Sequence, residues 1–423
     1  MSIKSLKHKI DYRLLIYGLV NFFAIYAVNR LSDLPVLLGN WEAKALALSQ
    51  FKFPGDNFYP PGSSILLVPF LWARPHYELV VYFYFVISSL IYFSICNRVI
   101  LNRKYKAIAL AALTLNPYLL WTCNSGQDTV FELFLLLSFA ALLLKGREGG
   151  ALFPLYLLCL VRPAYWTLFL IYPCFAVLKS RKSKVAKPRK RFILIPLGAL
   201  LMTMAINVVA FGQANLATES GLTAHFAHNK YYYLSMPKFD MDYFLTRGGN
   251  MNAEKIIENS AKFTNISDKE LRAALVSIIE NPKSLVLNTL QKVDSYFFAS
   301  QKTPQLSGFY FLSEDQKSIV IVNERLNWAL IAGNVFYFLY RSSLLIAGLV
   351  AFTIYFILLR RRETILPHNL NYFIIPYLAG AVPGIIYYTE SRFKVVSELL
   401  LVPLIIAVLD QYKKHPSPPT CEI

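Results

Sequence analysis

Several charged side chains stand at the ends of apolar runs rather than in the polar stretches where charge is commonplace. Asp33, Glu42 and Asp56 follow the first such run, Asp128 opens another, Arg162 closes the next, and Glu390, Arg392 and Lys394 join the last two. Ionisable groups near membrane depth are costly and mark function more often than surface charges do. Carboxylates and cations brought to one level suit a reaction in which a carboxylate activates a nucleophile and cations stabilise an anionic leaving group. Glu42 is the first choice for the base, then Asp56, then Asp33. Each has a simpler role open to it: Glu42 as a solvated helix residue, Asp56 in the turn Pro54-Gly55-Asp56-Asn57, and Asp33 as a helix cap. Asp128, with Glu132 one helical turn later, could hold an acceptor or a divalent cation, and capping accounts for Asp128 almost as well. Arg162, Arg392 and Lys394 suit a phosphate, by planar fork or point charge, with an interfacial anchor pair and an Arg392–Glu390 ion pair as the alternative. His225 and His228 are spaced i,i+3, but no third metal ligand has recognisable spacing, so substrate contact or a plain loop role stays open.

The elements that must position these groups are helices in lipid. The 423 residues are 56% hydrophobic and 16% charged, with a mean hydropathy of +0.43, too apolar for an ordinary soluble domain of this length. The expected fold is an all-α polytopic membrane protein of about ten transmembrane helices. Spans are predicted near Leu14–Asn29, Leu79–Cys96, Ile108–Thr122, Thr129–Leu144, Ala151–Val161, Ala164–Leu178, Phe192–Gly212, Ser342–Leu359, Leu370–Tyr388 and Val395–Leu409. The fifth is short and breaks at Arg162-Pro163, so it crosses only if paired with the sixth. With both termini cytoplasmic, the whole formal charge of +18 falls in the cytoplasmic segments, above all the run Lys179–Arg191, as the positive-inside rule demands. That accounts for the basic pI without nucleic acid as a partner. The five cysteines show no metal spacing and no disulfide framework.

Residues 1–423 thus read as one membrane-embedded domain with two long outside loops, 31–78 and 213–341, and a Pro-rich, disordered tail, 415–423. The first loop carries the candidate acids, an amphipathic helix at Trp41–Phe51 and an interfacial apolar run at Ser63–Trp72. The second holds Tyr231-Tyr232-Tyr233, helical patterns at Asn252–Phe263 and Asp268–Ile279, and an amphipathic helix at Pro282–Phe298 with Lys283 and Lys292 on its polar side.

With Trp41-Glu42 after the first helix, Tyr59-Pro60-Pro61-Gly62, Asn116-Pro117 ending the third helix, and Ser125-Gly126-Gln127-Asp128-Thr129-Val130-Phe131 opening the fourth, the chain resembles the GT-C superfamily of integral membrane glycosyltransferases. Arg162-Pro163, Asn281-Pro282 with Lys292, and Glu390-Ser391-Arg392-Phe393 before a helix containing Pro403 extend the resemblance over most of the length. Many members have Asp, or adjacent acids, where this chain has the lone Glu42. The resemblance implies an enzyme that moves a sugar, by an inverting route, from a polyprenyl-phosphate carrier to a glycan, lipid or protein acceptor. It implies an active site facing the periplasm or lumen, in a bacterial inner membrane or alternatively the endoplasmic reticulum. Tyr59 would contact substrate, and a divalent cation, Mg or Mn, is one way to offset charge on the departing phosphate. A polymerase or ligase of lipid-linked glycans is hard to separate by sequence, and a flippase is the reading from a different class.

Overall fold

The computed structural model describes residues 11–32, 41–53, 61–124, 128–173, 191–212, 214, 272–298, 310–312, 319–321, 339–356, 377 and 392–414. The predicted span Leu370–Tyr388 apart from Tyr377, the tail 415–423 and most of the second long loop lie outside them, as do Asp33, Asp56, Tyr59, His225, His228 and Glu390.

Helix α1 spans Tyr12–Ser32, and the Asp11 carboxylate receives the Arg13 N–H at its start, at 3.1 Å. The first loop contains α2 (Glu42–Ser49), then α3 (Gly62–Leu67), which passes at once into a 3-10 helix at Val68–Ala73. Pro69 near the start of that segment removes a backbone donor, so the apolar run expected to be one interfacial helix is two short pieces. Helix α4 follows at Glu78–Val99, with Glu78 in its first turn and Arg98 in its last, the signs that complement a helix dipole.

The third predicted span is two helices, α5 (Arg103–Thr114) and α6 (Pro117–Asn124). Asn116 does not simply end a helix. Its side chain accepts the Leu119 N–H at 3.0 Å, and Pro117 needs no donor in the first turn, so Asn116-Pro117 starts α6. Helix α7 covers Thr129–Leu144 and α8 Glu148–Val161, and Pro163 prevents α8 from continuing. A short 3-10 turn at Pro163–Tyr165 leads into α9, helical over 166–173. The remaining helices among the described residues are α10 (Arg191–Phe211), α11 (272–280), α12 (Pro282–Phe298), α13 (Leu339–Phe356) and α14 (Arg392–Lys414). A departure from the all-helical expectation is a small antiparallel pair of strands, Tyr310–Leu312 with Ile319–Ile321.

The described residues are therefore essentially all-helical, and four helices among them, within α1, α4, α10 and α13, are long and apolar enough to cross a membrane. Two kinds of surface distinguish them. Helices α4 and α7 are central, with Phe85, Tyr92, Phe131 and Phe139 fully buried and Tyr84 set edge-to-face on Phe131 at 5.0 Å. Helices α1, α10 and α13 instead turn Leu15, Phe23, Leu197, Leu201, Leu349 and Phe352 outward, an apolar surface that water would penalise and lipid would not. Polar side chains inside the bundle are spent on neighbours: Tyr17 donates to the Leu110 carbonyl at 3.0 Å, Thr114 to Asn21 at 3.2 Å, and Tyr92 to the Ala109 carbonyl at 3.1 Å.

At one end of the bundle, Asp410 near the end of α14 accepts the backbone N–H groups of Leu101 and Asn102 at 3.2 and 3.1 Å, while Asn102 caps α5 through the Lys104 N–H. Asp410 is 4% exposed. Asp410→Ala is expected to leave both donors unmet and to cost about 1–3 kcal/mol, read as a lower thermal midpoint in detergent.

Helix α12 shows which way its two sides face. Lys292, on the polar side, is fully buried together with Asn288, one turn before it, whereas Val286 and Leu290 are exposed. The neighbouring α11 likewise exposes Val276 and Ile279. Along the middle of α12 the polar Asn288 and Lys292 face inward and the apolar Val286 and Leu290 outward, the reverse of a helix on a water-soluble domain. Burial lowers the pKa of Lys292 to about 7.

Candidate functional site

Asp128 and Glu132 lie four residues apart at the start of α7 and therefore share a side of it. Arg162 sits in extended backbone immediately after α8, where the following proline holds the chain out of the helix. The hairpin of α7 and α8 brings the three together. The Arg162 guanidinium reaches Asp128 through both edges of its fork, Nε to Oδ2 at 2.8 Å and Nη2 to Oδ1 at 2.9 Å. Nη1 lies 2.7 Å from Glu132 Oε2, and Nη2 also donates to Thr129 Oγ1 at 3.2 Å. Tyr165, from the turn after Arg162, donates to the other Glu132 oxygen at 2.5 Å.

Asp128 occupies the N-cap position of α7, but its side chain does not cap the helix. Capping, the simpler explanation of this residue, gives way to a bidentate ion pair. Glu132 is fully buried, Arg162 nearly so, and the Asp128 side chain keeps 20% of its surface exposed. The Asp128 carboxylate is thus the accessible edge of a buried charge cluster. Two carboxylates against one guanidinium leave the trio one negative charge in excess, a setting in which removing the cation would be severe. Every nitrogen of Arg162 is committed to an oxygen within this cluster, so its fork orients Asp128. A phosphate at Arg162 would have to displace a carboxylate.

The first loop is seated against the same place. A Cβ on Gly62 would lie 2.4 Å from both the Leu160 carbonyl carbon and the Val161 nitrogen, so α3 rests directly on the backbone that leads into Arg162. Only glycine permits that approach. Ser63 and Ser64 are buried beside it, and Tyr84 of α4 fixes the other end of α3 by donating to the Leu66 carbonyl at 2.9 Å. Asn29 near the end of α1 donates to Asn124 at the end of α6 at 3.0 Å, which ties together the ends of those two helices.

Glu42 begins α2, which packs on α3 and on the 3-10 segment Val68–Ala73. Its partner is Arg74, whose Nε lies 2.8 Å from Glu42 Oε1. The Glu42 side chain is 16% exposed and that of Arg74 66%. Glu42 is accordingly an ion-paired, largely covered carboxylate rather than a freely solvated one. Tyr77 lies beside it, and burial, then the neighbouring carboxylate, push the phenol pKa up to about 12. His76 Nδ1 is 3.1 Å from Glu78 Oε1 just beyond.

Arg392 and Lys394 fall in the first turn of α14, which carries a further buried acid. Glu398, 1% exposed, lies 2.6 Å from Arg341 Nη2 at the start of α13. This pair was not anticipated. Its signal was present, since Glu398 is an acid inside the apolar run Val395–Leu409, where an ionisable residue has to find a partner. Arg74 had no such signal, because an Arg in a polar loop is ordinary.

Among the described residues no group of three or more His, Cys, Asp or Glu side chains comes together, and Asp128 and Glu132 are both engaged by Arg162. The chain matches no protein-family model, and comparison with curated proteins and with solved structures finds no similar one.

Proposed function

We propose that the chain is a GT-C-type glycosyltransferase that takes a sugar from a polyprenyl-phosphate carrier and passes it to a glycan, lipid or protein acceptor. The observation that carries this reading is the convergence at Gly62. It seats the first loop on the residue that precedes Arg162, so that groups far apart in sequence meet at one end of the helix bundle. At the opposite end lie the Asp410 contact with Leu101 and Asn102 and the contact of Arg98 with the Leu144 carbonyl, next to the basic segments. That separation supports a ten-span topology with cytoplasmic termini and an active site on the periplasmic face of a bacterial inner membrane.

In this reading an acceptor hydroxyl or amine attacks the anomeric carbon in a single displacement, which inverts its configuration. Glu42 accepts the proton, and polyprenyl phosphate leaves. Asp128, held rigidly by Arg162, orients the acceptor. Arg392 and Lys394 are the expected phosphate ligands, Tyr59, His225 and His228 the expected substrate contacts, and Asp56 and Asp33 the alternative bases. Purified protein incubated with a panel of polyprenyl-phosphate sugars should consume one of them. Glu42→Gln should slow that consumption by about 10²- to 10⁴-fold, the usual worth of a positioned base. Full turnover by Glu42→Gln alongside a loss in Asp56→Asn would move the base to Asp56, and consumption of no donor would remove the reading.

A further inference from the structure

The ion pair between Arg74 and Glu42 is lopsided. The carboxylate is mostly covered while two-thirds of the Arg74 side chain stands open. A guanidinium has five N–H donors, more than one carboxylate can use, and its fork matches a phosphate as well as it matches a carboxylate. With Arg74 two-thirds open to solvent, water screens the pair from that side and eases its exchange. Trp72, two residues before Arg74, is 75% exposed, and tryptophan is enriched at the headgroup level of a bilayer, where lipid phosphates lie.

We propose that Arg74 is shared between Glu42 and the phosphate of a lipid-linked substrate. In the empty site Arg74 closes on Glu42. When the donor binds, the guanidinium passes to the phosphate, and Glu42 is released to act as base. This rests on the glycosyl-transfer reading above and adds to it an order of events, in which donor binding arms the carboxylate. As the acceptor oxygen or nitrogen bonds to the anomeric carbon, its proton passes to Glu42. The bond from that carbon to the phosphate oxygen breaks, and the electron pair leaves on the phosphate, where Arg74 meets the added charge.

The test is binding rather than turnover. Full-length protein in phosphatidylcholine nanodiscs is titrated with polyprenyl monophosphate, and separately with phosphatidic acid and inorganic phosphate, with a thermal melt on each variant as the folding control. Arg74→Ala should weaken polyprenyl phosphate about tenfold, and Arg74→Lys, which keeps the charge but not the fork, should recover only part of that loss. Glu42→Gln, by removing the competing carboxylate, should tighten binding about threefold. A merely structural ion pair would give the opposite sign, with both variants weakened. Unchanged or weaker binding by Glu42→Gln overturns the proposal, as does an equal response to phosphatidic acid or inorganic phosphate, which would mark a general anion contact. If the wild type binds polyprenyl phosphate and consumes a donor while Arg74→Ala binds equally well, the transferase reading stands and the shared cation falls. If the wild type neither binds the lipid nor consumes any donor, both fall.

Discussion

Gly62→Ala is expected to destabilise the protein by about 1–3 kcal/mol and to lower turnover by roughly 10²-fold, although it adds a single methyl group. The new Cβ would meet backbone atoms of Leu160 and Val161 at 2.4 Å, and backbone cannot rotate aside as the tip of a flexible side chain would. Helix α3 would have to retreat by about 1 Å to regain ordinary contact. That displacement would be transmitted to both partners of the interface. On one side it moves the first loop with Glu42, on the other the segment that presents Arg162 to Asp128. The comparison that isolates the effect is Gly149→Ala in the first turn of α8, where an added Cβ meets nothing within 4 Å. Alanine there should be neutral or slightly stabilising, since glycine costs a helix about 0.5–1 kcal/mol. Equal melting curves for the two variants would show that α3 does not bear on α8.

The second large effect is expected at Arg162. Arg162→Met should destabilise the protein by about 3–5 kcal/mol, because it leaves the Asp128 and Glu132 carboxylates in a covered site without their cation. Arg162→Lys keeps the charge but not the fork, and should recover only part of the loss. The informative variant combines Arg162→Met with Asp128→Asn and Glu132→Gln. With the buried charges gone together, stability should return most of the way even though the four polar contacts of Arg162 have been removed, since the penalty lies in the unpaired charge. Turnover should not return, because Asp128 would no longer be held as an oriented carboxylate. A triple variant as unstable as Arg162→Met alone would mean that the cluster acts through packing rather than charge.

Much of the helical framework was legible before the structure. The bounds Thr129–Leu144 and Pro282–Phe298 agree to the residue, α1, α4 and α14 extend their predicted spans at both ends, and α10 is displaced from its own by one residue. Helix α8 begins three residues earlier than predicted, at Glu148, and is still short, pairing closely with α7. The break at Asn116-Pro117 was visible but misread as an ending, because the same dipeptide closes one helix and caps the next. Of the candidate site, Asp128, Glu132 and Arg162 were selected individually, and the structure brings them into one cluster. Their proposed division of labour, with Arg162 on phosphate, did not anticipate that the two acids would occupy its fork.

What the amino-acid order determines alone is local: where apolar runs begin and end, which residues cap them, and which acids and cations stand at their margins. Hydropathy and backbone donors act within a few residues, so they can be read along the chain. What only the tertiary structure decided is pairing and facing. Arg74 on Glu42, Arg341 on Glu398 and Gly62 on Leu160–Val161 each join segments distant in sequence. Lys292 is buried and Leu290 exposed because an amphipathic pattern specifies two faces without saying which of them meets the bundle and which meets the surrounding solvent. That choice depends on the neighbours a helix packs against, and on whether the medium outside is water or lipid.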